Sequence, residues 1–453
     1  MKKSFFVSAI FAVISLTLSA FPVEVKSDLT KEEESELSLD ESVSKAESKR
    51  FDLLTEKITL LLKANQIDDA EAVFKKVSAA FYEQDNWTAS RVEKAGYSIA
   101  CAYIGAKDFE KASKFTDELL KMTKDDAIVF YIKALAVEGL GKADEAAKWK
   151  EKAVTLDAED EEYRFEIGQF FFEQKLYPIA EAEFGKLIQL TTGDRAKSEF
   201  YVNAQLFLAR IAFDKRDYQD AIKKYGEVAS LLKQQNLLED LPGIQLEIVS
   251  AHINAARDFE IQGDYAKELE TIQAAEQLLG KVSPGLINAS AAALSRLKRY
   301  DEALKKYEDL MKLAPEVPDF LTGYGDVLMN LGKKDEADAQ FKKAIELYKK
   351  GIEKEVADKE DTATNLNNLA WFYATHKRDI EEGIKLSKRS LELRPDEAAY
   401  MDTIAELYFL SGQKDEAIKY IKQAIEKNPT HLLYYQQQLD KFEGKTPKKE
   451  EPK

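Results

Sequence analysis

Among the 453 residues, three histidines and one cysteine are the side chains best suited to metal ligation or nucleophilic catalysis. His252, His376 and His431 lie far apart, with no second histidine or cysteine at helical spacing. One thiol, Cys101, makes neither an internal disulfide nor a cysteine-rich metal centre. Without a histidine near it in the chain, it also lacks the base that would make it a nucleophile. Acidic pairs are frequent, as at Asp68-Asp69, Asp125-Asp126 and Glu159-Asp-Glu-Glu162. Paired carboxylates act as general acid and base only where a closed pocket splits their pKa values. These pairs fall at turns and helix starts, where acids meet the positive end of a helix dipole. Gly323-Tyr-Gly325 has no third glycine and no strand before it, and Gly139-Leu-Gly-Lys142 reads as a link between helices. No catalytic constellation, metal site or cofactor motif is expected.

The elements that would position a site are helices. Breakers are scarce, with 19 Gly and 10 Pro, and 45% of the chain is hydrophobic, enough for a large core. The length suits about three average domains or one long repeat array. A net charge of −16, from 66 basic and 82 acidic side chains, repels nucleic acid and anionic membranes, and no long basic run offsets it. No nucleic-acid partner is expected.

Short phrases recur along the chain: Asp108-Phe-Glu-Lys-Ala112, Ala143-Asp-Glu-Ala146, Tyr300-Asp-Glu-Ala303, Lys334-Asp-Glu-Ala337 and Lys414-Asp-Glu-Ala417. Each opens an amphipathic helix with apolar residues three, four and seven apart, and another helix precedes it. This unit resembles the tetratricopeptide repeat, a 34-residue pair of antiparallel helices. Aligned on the small residue opening the second helix, the register runs Ala70, Ala112, Ala146, Ala180, Ala221, Glu268, Ala303, Ala337, Gly383 and Ala417. Twelve positions earlier, where first and second helices cross, stand Ile58, Ala100, Ala134, Gly168, Ala209, Ala256, Ala291, Gly325 and Ala405, with Ala370 one place further away. Phe74, Phe184, Tyr225, Tyr307 and Phe341 are expected to fill the remaining space.

The resemblance implies an all-α, right-handed superhelical solenoid over residues 51–443. About ten helix-turn-helix repeats, starting near residues 51, 93, 127, 161, 202, 249, 284, 318, 363 and 398, precede a capping helix, His431 to Phe442. Insertions are expected at Gln234 to Pro242 and Lys349 to Glu360. Before the array, Lys2 and Lys3 precede an apolar stretch from Phe5 to about Leu18, followed by Ser19 and Ala20. That pattern predicts a signal peptide over residues 1–20, or an N-terminal anchor if it is not cleaved. Residues 21–50 read as an acidic disordered spacer and residues 444–453 as a charged tail.

In the resembled family, first helices line a concave groove that takes protein segments. Position five of each first helix then faces the groove. From the second repeat onward that position holds Tyr97, Tyr131, Phe165, Leu206, Ile253, Asn288, Thr322, Asn367 and Asp402. Position nine adds Arg210 and Arg257, with Asn254 one turn before the latter. The expected partner-binding residues are Tyr97, Tyr131, Phe165, Arg210, Asn254 and Arg257, suited to a segment with an apolar anchor and a carboxylate. Inter-repeat packing of the rings and local pairing of the arginines are the competing structural reading. The set of Lys, Asn and Arg positions with which chaperone-binding members clamp a terminal carboxylate is incomplete, matched singly at Asn254 and Asn368. The expected function is a non-enzymatic exported scaffold for a protein or peptide partner in the periplasm or cell envelope. A membrane-tethered, self-associating assembly factor is the alternative.

Overall fold

The computed structural model describes residues 39–82, 86–123, 125–191, 199–280, 282–428 and 432–445. The expected signal peptide, the spacer up to residue 38, His431 and the tail from residue 446 lie outside the described residues. Among the described residues there are 21 helices and no strand, in two compact units divided after Ala158. The first unit holds three hairpins: α1 (Leu39–Lys63) with α2 (Ile67–Phe81), α3 (Asn86–Gly105) with α4 (Phe109–Thr123), and α5 (Ala127–Gly139) with α6 (Ala143–Thr155). The second begins with α7 (Glu161–Glu173) and α8 (Tyr177–Leu190), α9 (Glu199–Asp214) and α10 (Tyr218–Gln234), then α11 (Leu241–Gln262) and α12 (Tyr265–Leu279). It continues with α13 (Pro284–Arg296) and α14 (Tyr300–Leu313), α15 (Pro318–Asn330) and α16 (Lys334–Asp358), and α17 (Ala363–His376) and α18 (Ile380–Leu393). The last hairpin, α19 (Ala398–Leu410) with α20 (Lys414–Lys427), is followed by the single helix α21 (Leu432–Glu443). Ten hairpins and a closing helix match the all-α repeat architecture expected from the register.

Six of the expected starts, 127, 161, 284, 318, 363 and 398, are the first residues of their helices. The other four first helices begin earlier; α1 starts at Leu39, inside the stretch expected as spacer. The longer spacings from 202 to 249 and from 318 to 363 are taken up largely as helix. α16 runs on through Asp358, so the expected insertion at 349–360 is largely helical, and α11 starts at Leu241 with Pro242 in its first turn.

The hairpin turns share one backbone device. Five residues before the helix-opening position, nine of the ten turns place a residue with positive φ: Asn65, Lys107, Gly141, Lys175, Arg216, Gly263, Lys298, Gly332 and Gly412. The next N–H then bonds a carbonyl five residues back, as Asp108 to Tyr103 at 3.0 Å and Gln413 to Tyr408 at 2.8 Å, closing the first helix with its last carbonyls satisfied. The tenth turn has positive φ at both Lys377 and Asp379, which accommodates the extra residue between Ala370 and Gly383. Helix starts use acids: Asp126 accepts from the N–H of Ile128 at 2.7 Å, and Asp160 from that of Tyr163 at 3.0 Å.

Close crossing explains the small residues. A Cβ on Gly168 would stand 2.6 Å from the Phe184 ring, and one on Gly325 would stand 2.5 Å from Phe341. Both rings are fully buried, as are the helix-opening alanines. Glu268, the acid in the alanine register, is also buried, and its Oε1 accepts from Arg296 at 2.7 Å. Arg296 reaches Glu260 with its other amino group. Burial pushes the Glu268 carboxyl up to about 7, with Arg296 opposing and Glu260 adding to the rise.

Candidate functional site

The chemistry-bearing side chains are not brought together. Cys101 is buried on α3, where desolvation pushes its thiol up and removes the thiolate that nucleophilic attack requires. His252 sits on α11 with Nδ1 lacking a partner, and burial lowers its pKa. His376, at the end of α17, stacks on Phe372 and lies with Nε2 2.9 Å from Asp326 Oδ1. Among the described residues no group of three or more His, Cys, Asp or Glu could hold a metal ion.

The six expected binding residues divide between the units. In the first unit, Tyr97 is buried and donates its hydroxyl to Asp126 at 2.9 Å, tying α3 to the cap of α5. Tyr131 is buried on α5. In the second unit, Phe165 packs against the rings of Phe184, Phe200 and Phe207, with centroids 5.6 to 6.0 Å apart. Arg210 lies over Phe207 and donates to Glu247 at 2.7 Å, so a residue of α11 neutralises the cation of α9. Asn254 bonds the carbonyl of Ser250 on its own helix at 2.8 Å. Arg257 is exposed, with no acidic partner among the described residues. Of the polar position-five residues further along, Asn367 and Asp402 are buried, and Thr322 bonds the carbonyl of Pro318.

One face of α11 carries exposed side chains in a row. Leu246 is 58% exposed and Ile253 41% exposed, with half-buried Ser250 between them and Arg257 one turn beyond. The spacing of 246, 250, 253 and 257 keeps all four on one side of the helix, along about 16 Å of its axis. Leu246 and Glu247 were not legible from the repeat register. Both precede the expected repeat start at 249, in the part of α11 that the repeat pattern does not describe. The long spacing from 202 to 249 was the available signal.

Family models for the repeat agree with this architecture. Tetratricopeptide repeat models match residues 289–352 and 398–431. DnaJ homolog subfamily C member 3 of Rattus norvegicus is 22% identical over 319 residues, 67% of this chain and 60% of that protein. A TPR repeat-containing protein of Pseudomonas aeruginosa is 23% identical over 235 residues, 50% of this chain and 34% of that one. The chain thus spans less than two thirds of the length of either relative. Among solved structures, the P58(IPK) TPR domain is 18% identical with a TM-score of 0.23, covering 78% of this chain and 97% of that one. Yeast Tom70 is 16% identical with a TM-score of 0.33, covering 88% and 96%. Repeats of this kind mediate protein–protein interactions. With ten hairpins in register and two stretches matched by the repeat models, the chain carries tetratricopeptide repeats.

Proposed function

We propose that the chain is a non-enzymatic, exported scaffold that binds another protein of the cell envelope through the first helices of its second unit. The observation that carries this reading is the α11 stripe of Leu246, Ile253 and Arg257, an apolar pair ending in an exposed guanidinium without an acid. It suits a partner segment with two apolar side chains and a carboxylate. Covering each apolar side chain contributes about 1 kcal/mol, since both are already half covered. The carboxylate adds a charge-assisted hydrogen bond. In a chain of net charge −16, such a cation fixes where an acidic group is accepted and the rest of the surface rejects it. Export rests on the sequence of residues 1–20. No helix among the described residues is long and apolar enough to cross a membrane.

The test is crosslinking in intact cells, with the captured proteins and the mature N-terminus identified by mass spectrometry. One dominant heterologous protein, captured by the wild type and lost from an Ile253→Asp, Arg257→Glu double variant, is the expected result. Equal capture by the folded double variant removes α11 from the binding surface. Self-crosslinks alone, with residues 1–20 still attached, replace the scaffold with the tethered, self-associating reading.

A further inference from the structure

The last helix, α21, seals the end of the second unit with Tyr435, Leu439 and Phe442, all buried in one core cluster with Met401, Ile404, Ala405 and Tyr408 of α19. Into this apolar joint the chain places an acid. Asp402 of α19 is buried; its Oδ2 accepts from the Tyr434 hydroxyl at 2.8 Å, while Oδ1 is buried without a hydrogen-bond partner. One turn further along α19, Glu406 is also buried and takes Lys441 of α21 at 2.6 Å. The joint therefore holds two carboxylates and one ammonium group, and the ammonium is paired with Glu406.

We propose that protonation of Asp402 controls how tightly α21 docks on α19, so that the cap is held more firmly in mildly acid than in neutral surroundings. An ionised Asp402 leaves a buried charge with an oxygen lacking a donor, which opposes docking. A protonated one removes the charge and the repulsion from Glu406. Burial is the largest influence on the carboxyl and Glu406 adds to it, while Tyr434, Lys441 and Gln438 pull the other way; the balance raises Asp402 to about 6. Tyr435 is the other titratable group of α21 in its field. Of the remaining helices against α19, α18 places Lys388 by the ring of Tyr408, α20 carries Lys419 by the ring of its own Tyr420, and α17 meets α19 through Thr364 and Tyr400.

A carboxyl whose pKa is raised on docking favours the docked state below its free value near 3.8, and that preference is lost as pH rises through about 6. Linkage then makes the opening equilibrium of α21 roughly tenfold smaller at pH 5 than at pH 7.5. Hydrogen exchange of α21 amides in the full chain, corrected for the intrinsic rate at each pH, reads this directly. Asp402→Asn is expected to abolish the pH dependence and to give, at pH 7.5, at least the protection the wild type reaches at pH 5. Tyr434→Phe removes the bond that favours the ionised form, and is expected to move the midpoint upward while keeping the dependence. Equal corrected protection at the two pH values in the wild type overturns the proposal. So does a wild-type pH dependence in Asp402→Asn, or an unmoved midpoint in Tyr434→Phe.

Discussion

Arg210 and Glu247 join α9 to α11 through a 2.7 Å contact, and this pair separates two arginines that occupy the same register position in successive repeats. Arg210 is satisfied from the neighbouring helix, whereas Arg257 stays exposed. Both partners of the pair are about three-quarters buried, so the coupling exceeds that of a surface ion pair. Glu247→Ala and Arg210→Ala are each expected to destabilise the protein by about 1–2 kcal/mol. A double-mutant cycle in urea should return about 1 kcal/mol of coupling.

Glycines at helix crossings and glycines elsewhere should respond in opposite directions to alanine. Gly168 faces the fully buried Phe184, which has no room to yield, so Gly168→Ala is expected to lose about 1–2 kcal/mol despite alanine's better helix propensity. Gly185 in α8 has nothing within 4 Å of its missing Cβ. Gly185→Ala should gain up to about 1 kcal/mol. Thermal unfolding of the two variants against the wild type decides the signs.

Lys298 adopts φ +59° in the turn between α13 and α14, a position where other repeats use glycine. The left-handed conformation costs a side-chain-bearing residue about 1 kcal/mol, partly offset by glycine's greater unfolded-state entropy. Lys298→Gly is therefore expected to stabilise by about 0.5 kcal/mol, measured by chemical denaturation.

Glu268 on α12 is a second buried carboxyl with a pH signature. Its carboxyl is raised to about 7, so its contribution favours the folded state at low pH and is lost as pH rises through neutrality. Glu268→Gln keeps an acceptor for Arg296 without the buried charge. Relative to wild type it is expected to gain on the order of 2 kcal/mol at pH 8 and little at pH 5. Stability curves at the two pH values test the sign.

The repeat unit was legible because its geometry is local. Alanine at Ala112, Ala303 or Ala417 is demanded by two helices of the same hairpin, about a dozen residues apart, and the turn between them fixes the spacing. Long-range partners do not enter that requirement, so a single chain carries it openly. The same locality made the absence of histidine or cysteine pairs at ligand spacing readable.

The binding surface obeys a different rule. Whether Tyr97, Tyr131 or Arg210 meets a ligand depends on what the next hairpin brings against it: Asp126 for Tyr97 and Glu247 for Arg210. Those partners stand about 30 to 40 residues away, and no periodicity links an acid to the arginine it neutralises. Likewise, Asp402 occupied an expected groove position, yet α21 covers it. Helix identity and register follow from side-chain size within one repeat, and the sequence carries them openly. Which polar groups stay open to solvent follows from desolvation and pairing between repeats, and only the packed tertiary structure decides it.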